Sequence, residues 1–125
     1  MQHKMVFICS PYRPENRDPL TRASEIQRNI EMARTGCRIA VERGLIPIAP
    51  HLYFPQFLSE ETERETGIRQ GMHLLTLCGE LWVLGRKVSD GMAKEISYAK
   101  ELGLPVRIME KPETAAERLM KAVKE

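Results

Sequence analysis

The residues best placed for chemistry lie in the stretch Val88-Ser89-Asp90-Gly91-Met92-Ala93-Lys94-Glu95. A tight polar turn here opens a helix, and Met92, Ile96 and Ala99 recur at helical spacing as its core-facing stripe. Glu95 stands three residues after Met92 and four before Ala99, so it borders that stripe and not the wet face. A carboxylate so held lies near the carboxyl ends of the strands, where open α/β sheets bind ligands. Ser89 and the amides of Asp90, Gly91 and Met92 stand at a helix N-terminus, where free N–H groups favour anions. Arg13, in the loop after the first apolar run, adds a charged fork suited to phosphate. A carboxylate bordering an apolar surface can act as a nucleophile toward an oxocarbenium-like centre, as glycosidase carboxylates do.

Alternating strands and helices must position these groups. The unbroken apolar run Met5-Val6-Phe7-Ile8 predicts a parallel strand over 4–9, covered on both faces. A loop with three prolines follows over 10–19. Such length points either to an ordered functional loop or to disorder over 14–19. Residues 24–43 read as a helix, with Ser24 and Gln27 as a capping box, Ile26, Ile30, Ala33, Cys37 and Ala40 on one face, and Gly44 as the stop. Residues 45–49 read as an edge strand, because Pro47 cannot donate to a ladder. An aromatic loop over 50–58 leaves its carboxyl end.

Ser59 then caps a helix that runs to about Leu77, with Glu60 and Glu61 complementing its dipole. Ile68, Met72 and Leu75 face the core in that helix, and Gly67 and Gly71 allow close backbone approach. Strands are expected at 80–84 and 105–109, with the Glu95 helix from Gly91 or Met92 to Leu102 between them. A closing helix over 114–123 turns Ala115, Leu119 and Val123 inward. The whole, one domain over 1–125, reads as a three-layer α/β/α, Rossmann- or flavodoxin-like fold with a parallel sheet of four to five strands.

Composition narrows the function. Net charge is only +2, from 19 basic and 17 acidic residues, too balanced for a nucleic-acid binder with its clustered basic surface. No apolar run approaches the ~18 residues of a membrane span, and the basic N-terminus carries only a strand's length of apolar residues, so it is read as no signal peptide. Cys9, Cys37 and Cys78 are odd in number and widely spaced, which fits a reducing cytoplasm and no disulfide framework. Cys9 and Cys78 could also meet at adjacent strand ends. The cysteines with His51 and His73 show no paired ligand spacing, so neither a metal nor another cofactor is expected.

Cys9-Ser10-Pro11-Tyr12-Arg13, Pro47-Ile48-Ala49-Pro50-His51 and Ser89-Asp90-Gly91-Met92-Ala93-Lys94-Glu95 together resemble the nucleoside 2-deoxyribosyltransferase-like superfamily, over residues 4–109. The Cys-Ser-Pro-Tyr opening and the Pro-His-Leu-x-Phe-Pro-Gln-Phe segment are similar to small uncharacterised phage and bacterial members. The resemblance implies that Glu95 attacks the anomeric carbon, displaces the base and forms a glycosyl-enzyme. Ser89, six residues earlier, matches the phosphate-contacting serine of deoxynucleoside 5′-monophosphate N-glycosidases. Asp90 is one place out of register with the transferases' acidic residue. Ser10, Tyr12 and Arg13 fall in the first nucleotide-binding loop, with His51 on the second strand's exit.

The superfamily's base-proximal aspartate falls around Met72-His73, where there is no carboxylate, and His73 is the substitute proton donor to test. The resemblance also implies a small-molecule nucleotide as partner and a homo-oligomer of dimers or higher. The aromatic loop 52–57 and the second helix could supply its contact surface. The chain is thus read as a nucleotide N-glycosidase or deoxyribosyltransferase, or as a non-catalytic nucleotide-binding module of the same fold.

Plain structural roles stay open at each position. Glu95 can be a helix glutamate paired with Lys94 or Arg107, Ser89 an N-cap alone, and Arg13 a solvated loop residue. His51 and Tyr53 can pack the loop on the sheet, and His73 can lie on the helix surface.

Overall fold

Val6, Phe7, Ile8 and Cys9 are almost wholly shut off from solvent, as an unbroken apolar run requires of a central strand. They belong to β1 (Met5–Cys9), in a computed structural model that describes residues 4–14, 18–85, 87–109, 119, 120, 122 and 123. The described residues form three further strands, β2 (Ile46–Ile48), β3 (Glu80–Val83) and β4 (Val106–Ile108). The sheet order is β2-β1-β3-β4, and every pairing is parallel. β2 lies at an edge, where the missing N–H of Pro47 leaves no interior ladder broken.

The helices α1 (Pro19–Glu42), α2 (Arg64–Leu75) and α3 (Asp90–Glu101) cover both faces. Strand alternation divides the core between them. Phe7, Cys9, Leu81 and Val83 pack with Leu75 of α2 and with Met92 and Ala99 of α3. Val6, Ile8, Trp82 and Leu84 pack with Ala40 of α1. Each large apolar side chain so buried contributes about 1.5–3 kcal/mol. A Cβ at Gly36 would stand 2.7 Å from Leu84 Cδ2, so the glycine is what lets α1 lie close against the sheet. This is the expected three-layer α/β/α arrangement, Rossmann- or flavodoxin-like, with four strands among the described residues.

From β1 the chain turns to β2 on one side, while β3 pairs on the other. The carboxyl ends of β1 and β3 therefore flank a topological switch point, where a crevice opens. The loops leaving these two strands touch there. Gly85 has φ +106°, and a Cβ on it would lie 3.2 Å from Pro11 Cδ, so glycine serves both the turn and the contact.

Several elements begin or end elsewhere than the sequence pattern predicts. α1 starts at Pro19, not Ser24. Proline at the first helical position has its φ preset and lacks only an N–H that would be unpaired anyway. Ser24 and Gln27 are therefore inside the helix and form no capping box. α2 starts at Arg64, not at Ser59, because Ser59 instead caps a separate turn. The Glu61 N–H donates to Ser59 Oγ at 3.3 Å, and the Ser59 N–H donates to Glu63 Oε1 at 3.0 Å. Glu60 and Glu61 thus precede the helix, whose first turn holds Glu65.

Cys9 and Cys78 are both free, at opposite ends of the strands, so they do not meet. Most of the helix expected over 114–123, Ala115 included, lies outside the described residues. Leu119 and Val123 are described, and both are exposed, not inward. No helix among the described residues is long and apolar enough to cross a membrane.

Candidate active site

Three connections at the carboxyl ends of the strands build one cleft. The β1 loop brings Tyr12 and Arg13, the segment after β2 brings Pro50, His51, Phe54 and Pro55, and the turn into α3 brings Ser89, Gly91, Met92 and Glu95. The turn before α2 adds Glu60 and Glu63, and α2 closes the wall with Arg64, Gly67, Ile68 and Gly71. The space between these walls, counted out through its open mouth into solvent, is about 790 Å³.

Each wall is fixed locally. Asn29 Nδ2 on α1 donates to the Tyr12 carbonyl at 3.1 Å and ties the β1 loop down. The Tyr12 ring stacks on His51, with centroids 5.6 Å apart and planes 18° from parallel. The segment after β2 folds into two short 3₁₀ turns, Pro50–Leu52 and Phe54–Gln56, each with a proline near its start. Tyr53, Phe54 and Phe57 pack against each other there, the closest pair of ring centroids 4.8 Å apart.

Ser89 is the N-cap of α3, and its Oγ accepts from the Met92 N–H at 3.2 Å. The cap occupies that amide. An anion at this end meets the amides of Asp90 and Gly91 and the serine hydroxyl, whose own hydrogen remains to donate.

Glu95 faces this anion end from one turn further along. The residue is half-buried as a whole, but its Oε1 is closed off from solvent and has no hydrogen-bond partner. Burial raises its pKa to about 7, with only the Cys9 thiol acting the other way. The expected structural alternative of pairing with Arg107 does not occur, because Arg107 is engaged by Glu80 at the far end of the sheet. Burial also lowers His51 to about 4, so its ring is neutral at neutral pH. Tyr12 is raised, by burial first and then by the charge of Glu60, so its hydroxyl keeps its proton.

Of the residues singled out in the sequence, Tyr12, Arg13, His51, Ser89, Gly91, Met92 and Glu95 meet in this cleft. Three do not line it. Ser10 is buried, with its Oγ unpartnered. Asp90 is exposed in the first turn of α3. His73 is exposed on α2, five residues past Ile68 and hence about 140° around the helix from the cleft-facing stripe. The reading missed Glu60, Glu63 and Arg64. A signal for Arg64 was present, since Arg64, Gly67, Ile68 and Gly71 fall at i, i+3, i+4 and i+7.

With this geometry in view, a family model described as a domain of unknown function, DUF7768, matches residues 4–109. The chain belongs to the DUF7768 family. No curated protein matches it. Among solved structures, this DUF7768 protein is similar in fold to the 2-deoxyribosyltransferase of the psychrotolerant bacterium Bacillus psychrosaccharolyticus, at 15% identity and a TM-score of 0.58. The likeness covers 94% of this chain and 80% of that one. That enzyme is described as a biocatalyst for the synthesis of antiviral and antitumoral nucleosides. At such identity the likeness is one of fold, and function rests on the site.

Proposed function

We propose that this protein cleaves or transfers the N-glycosyl bond of a (deoxy)nucleoside 5′-monophosphate, with Glu95 as the nucleophile. The observation that carries this reading is the buried, unpartnered Oε1 of Glu95 in a cleft that also holds Ser89 and Arg13. The 5′-phosphate takes the α3 N-terminus, where Ser89 and two free amides receive it and Arg13 supplies a balancing charge. The sugar then lies over Glu95. The base extends toward Tyr12, His51 and Phe54, whose rings offer stacking surface.

The steps follow from these placements. A Glu95 carboxylate oxygen bonds to the anomeric carbon as the carbon–nitrogen bond breaks, and the electron pair leaves with the base. The departing base takes up one proton, for which the cleft offers the protonated Tyr12 hydroxyl as a neutral donor. Water, or a second base, then attacks the same carbon and restores the Glu95 carboxylate.

A second reading, nucleotide binding without turnover, is favoured by one observation. Neither Met72 nor His73 supplies a carboxylate, and neither lines the cleft. Incubation with a panel of deoxynucleoside monophosphates, followed by chromatography for free base, separates the two. The enzyme reading expects base release by the wild type and at least about 10³-fold less from Glu95→Ala. Thermal stabilisation by a nucleotide with no release, unchanged in Glu95→Gln, selects the binding module instead.

A further inference from the structure

α2 carries two glycines within its span, Gly67 and Gly71, about one turn apart. Glycine weakens a helix interior relative to alanine, because it gives up more backbone freedom on folding. The fold gives neither glycine a reason to be there. Neither has a positive φ, unlike Gly44, Gly85 and Gly103. The close backbone approach that their spacing predicts is not made by the described residues. A Cβ at Gly67 would meet only Leu58 Cδ1, at 3.6 Å, and one at Gly71 only Pro50 Cγ, at 3.9 Å, both ordinary contacts. Gly36 on α1 is the contrast, since its missing Cβ is what the packing requires.

What both glycines line is the cleft. Pro50 and Leu58 bound the segment that brings His51 and Phe54, so the two glycines lie where α2 runs beside the aromatic wall. Gly67 is half-buried, and Gly71 lies deeper along the same strip. A separate observation marks this space as one for a ligand. Glu95 lines it too, with Oε1 shut off from solvent and without a partner.

We propose that Gly67 and Gly71 are specificity-determining residues, which keep clear the strip of α2 against which the base of the bound nucleotide lies. A methyl group at either place takes room that the ligand needs and the fold does not. The inference rests on the nucleotide reading and deepens it. With the phosphate at the α3 N-terminus and the sugar over Glu95, the base is the part left for the strip between α2 and the aromatic segment.

Gly67→Ala and Gly71→Ala test this with two readouts that a packing role would move the other way. Without ligand, each variant is expected to melt about 2–4 °C above its parent, because alanine suits the helix and meets only ordinary contacts. Binding is measured by calorimetry in a Glu95→Gln background, which stops turnover. The probes are the four common deoxynucleoside 5′-monophosphates and base-free 2-deoxyribose 5-phosphate. The nucleotides are expected to bind at least about tenfold more weakly, and the base-free sugar phosphate as before. Gly67→Ala, at the more open end of the strip, keeps the test decisive if Gly71→Ala fails to fold. A lower melting temperature in Gly67→Ala would make the glycines packing residues and overturn the proposal. Unchanged nucleotide affinity would overturn it too, as would equal weakening of the base-free sugar phosphate. In these cases the wild type still binds nucleotide and only this inference falls. If no nucleotide shifts the melting temperature of the wild type, the nucleotide reading falls and takes this inference with it.

Discussion

Two glutamates reach the buried layer of this sheet, one at each end, and they are treated in opposite ways. Glu80 opens β3 at the amino end, 5% exposed. Trp82 Nε1 donates to it at 2.8 Å, Lys4 Nζ at 3.1 Å and Arg107 Nε at 3.3 Å. Burial alone would raise its pKa, but these three partners outweigh it and hold the carboxyl below its ordinary value. Its immediate partners shut it off from water, although it sits at the edge of the molecule and not deep within. Arg43 adds to the same end by lying over the Trp82 ring, 5.3 Å from its centroid. Glu95, at the carboxyl end, has a buried oxygen with no partner and a pKa pushed up to about 7. A carboxylate with donors on both oxygens is held ionised and belongs to the frame of the fold. One kept buried and free is destabilising in isolation, and such groups concentrate where a ligand or a reaction will use them.

The contrast can be broken at either end. Glu80→Leu should cost about 1–3 kcal/mol of stability, chiefly because the buried Trp82 N–H loses its acceptor. The exposed halves of its ion pairs with Lys4 and Arg107 contribute little. Urea unfolding checks this, and nucleotide binding in the cleft should be unchanged.

The second prediction concerns pH. Glu95 has a folded pKa raised from 4.5 to about 7, so the folded state holds that proton more tightly and stability falls as pH rises across this window. His51 has a folded pKa lowered from 6.5 to about 4, so its contribution is present above 6.5 and is lost as pH falls toward 4. The two slopes oppose each other between pH 4.5 and 6.5, each carrying about 3 kcal/mol in full. In Glu95→Gln the His51 slope should stand alone, with stability rising from pH 4 to 6.5. In His51→Gln stability should fall from pH 4.5 to 7. Denaturation midpoints over a pH series give both slopes. Identical slopes in wild type and Glu95→Gln would mean that Glu95 is no buried, strained carboxyl.

A smaller effect sharpens the functional end. Arg13→Ala should weaken binding of a nucleoside monophosphate about tenfold, near 1.4 kcal/mol, and leave binding of the unphosphorylated nucleoside unchanged. Calorimetry with the two ligands distinguishes a phosphate contact from a solvated arginine.

These carboxylates also mark what the chain reveals before it is folded. The strands were legible because Val6 to Cys9 and Leu81 to Val83 must be covered on both faces, and no other element hides an unbroken run so short. The edge place of β2 followed from the missing N–H of Pro47 alone. Glu95 was legible because helical spacing put it beside Met92 and Ala99, both buried.

The starts of α1 and α2 were not, because a local cap signal does not say which of two turns continues. Asp18-Pro19 began a helix that Ser24 also advertised, and Ser59 capped a turn that ended at Glu63. That slip hid Glu60, Glu63 and Arg64 from the site. His73 was singled out by the place of the superfamily's aspartate, and the helix turns it outward to solvent instead.

The central claim is that the unpartnered carboxylate at the carboxyl end of the sheet is a nucleophile. The most direct measurement is base release from deoxynucleoside 5′-monophosphates by the wild type, Glu95→Ala and Glu80→Leu side by side. The account predicts release by the wild type and by folded Glu80→Leu, and its loss by at least about 10³-fold in Glu95→Ala. Equal release by wild type and Glu95→Ala, or none from any nucleotide by the wild type, would contradict it.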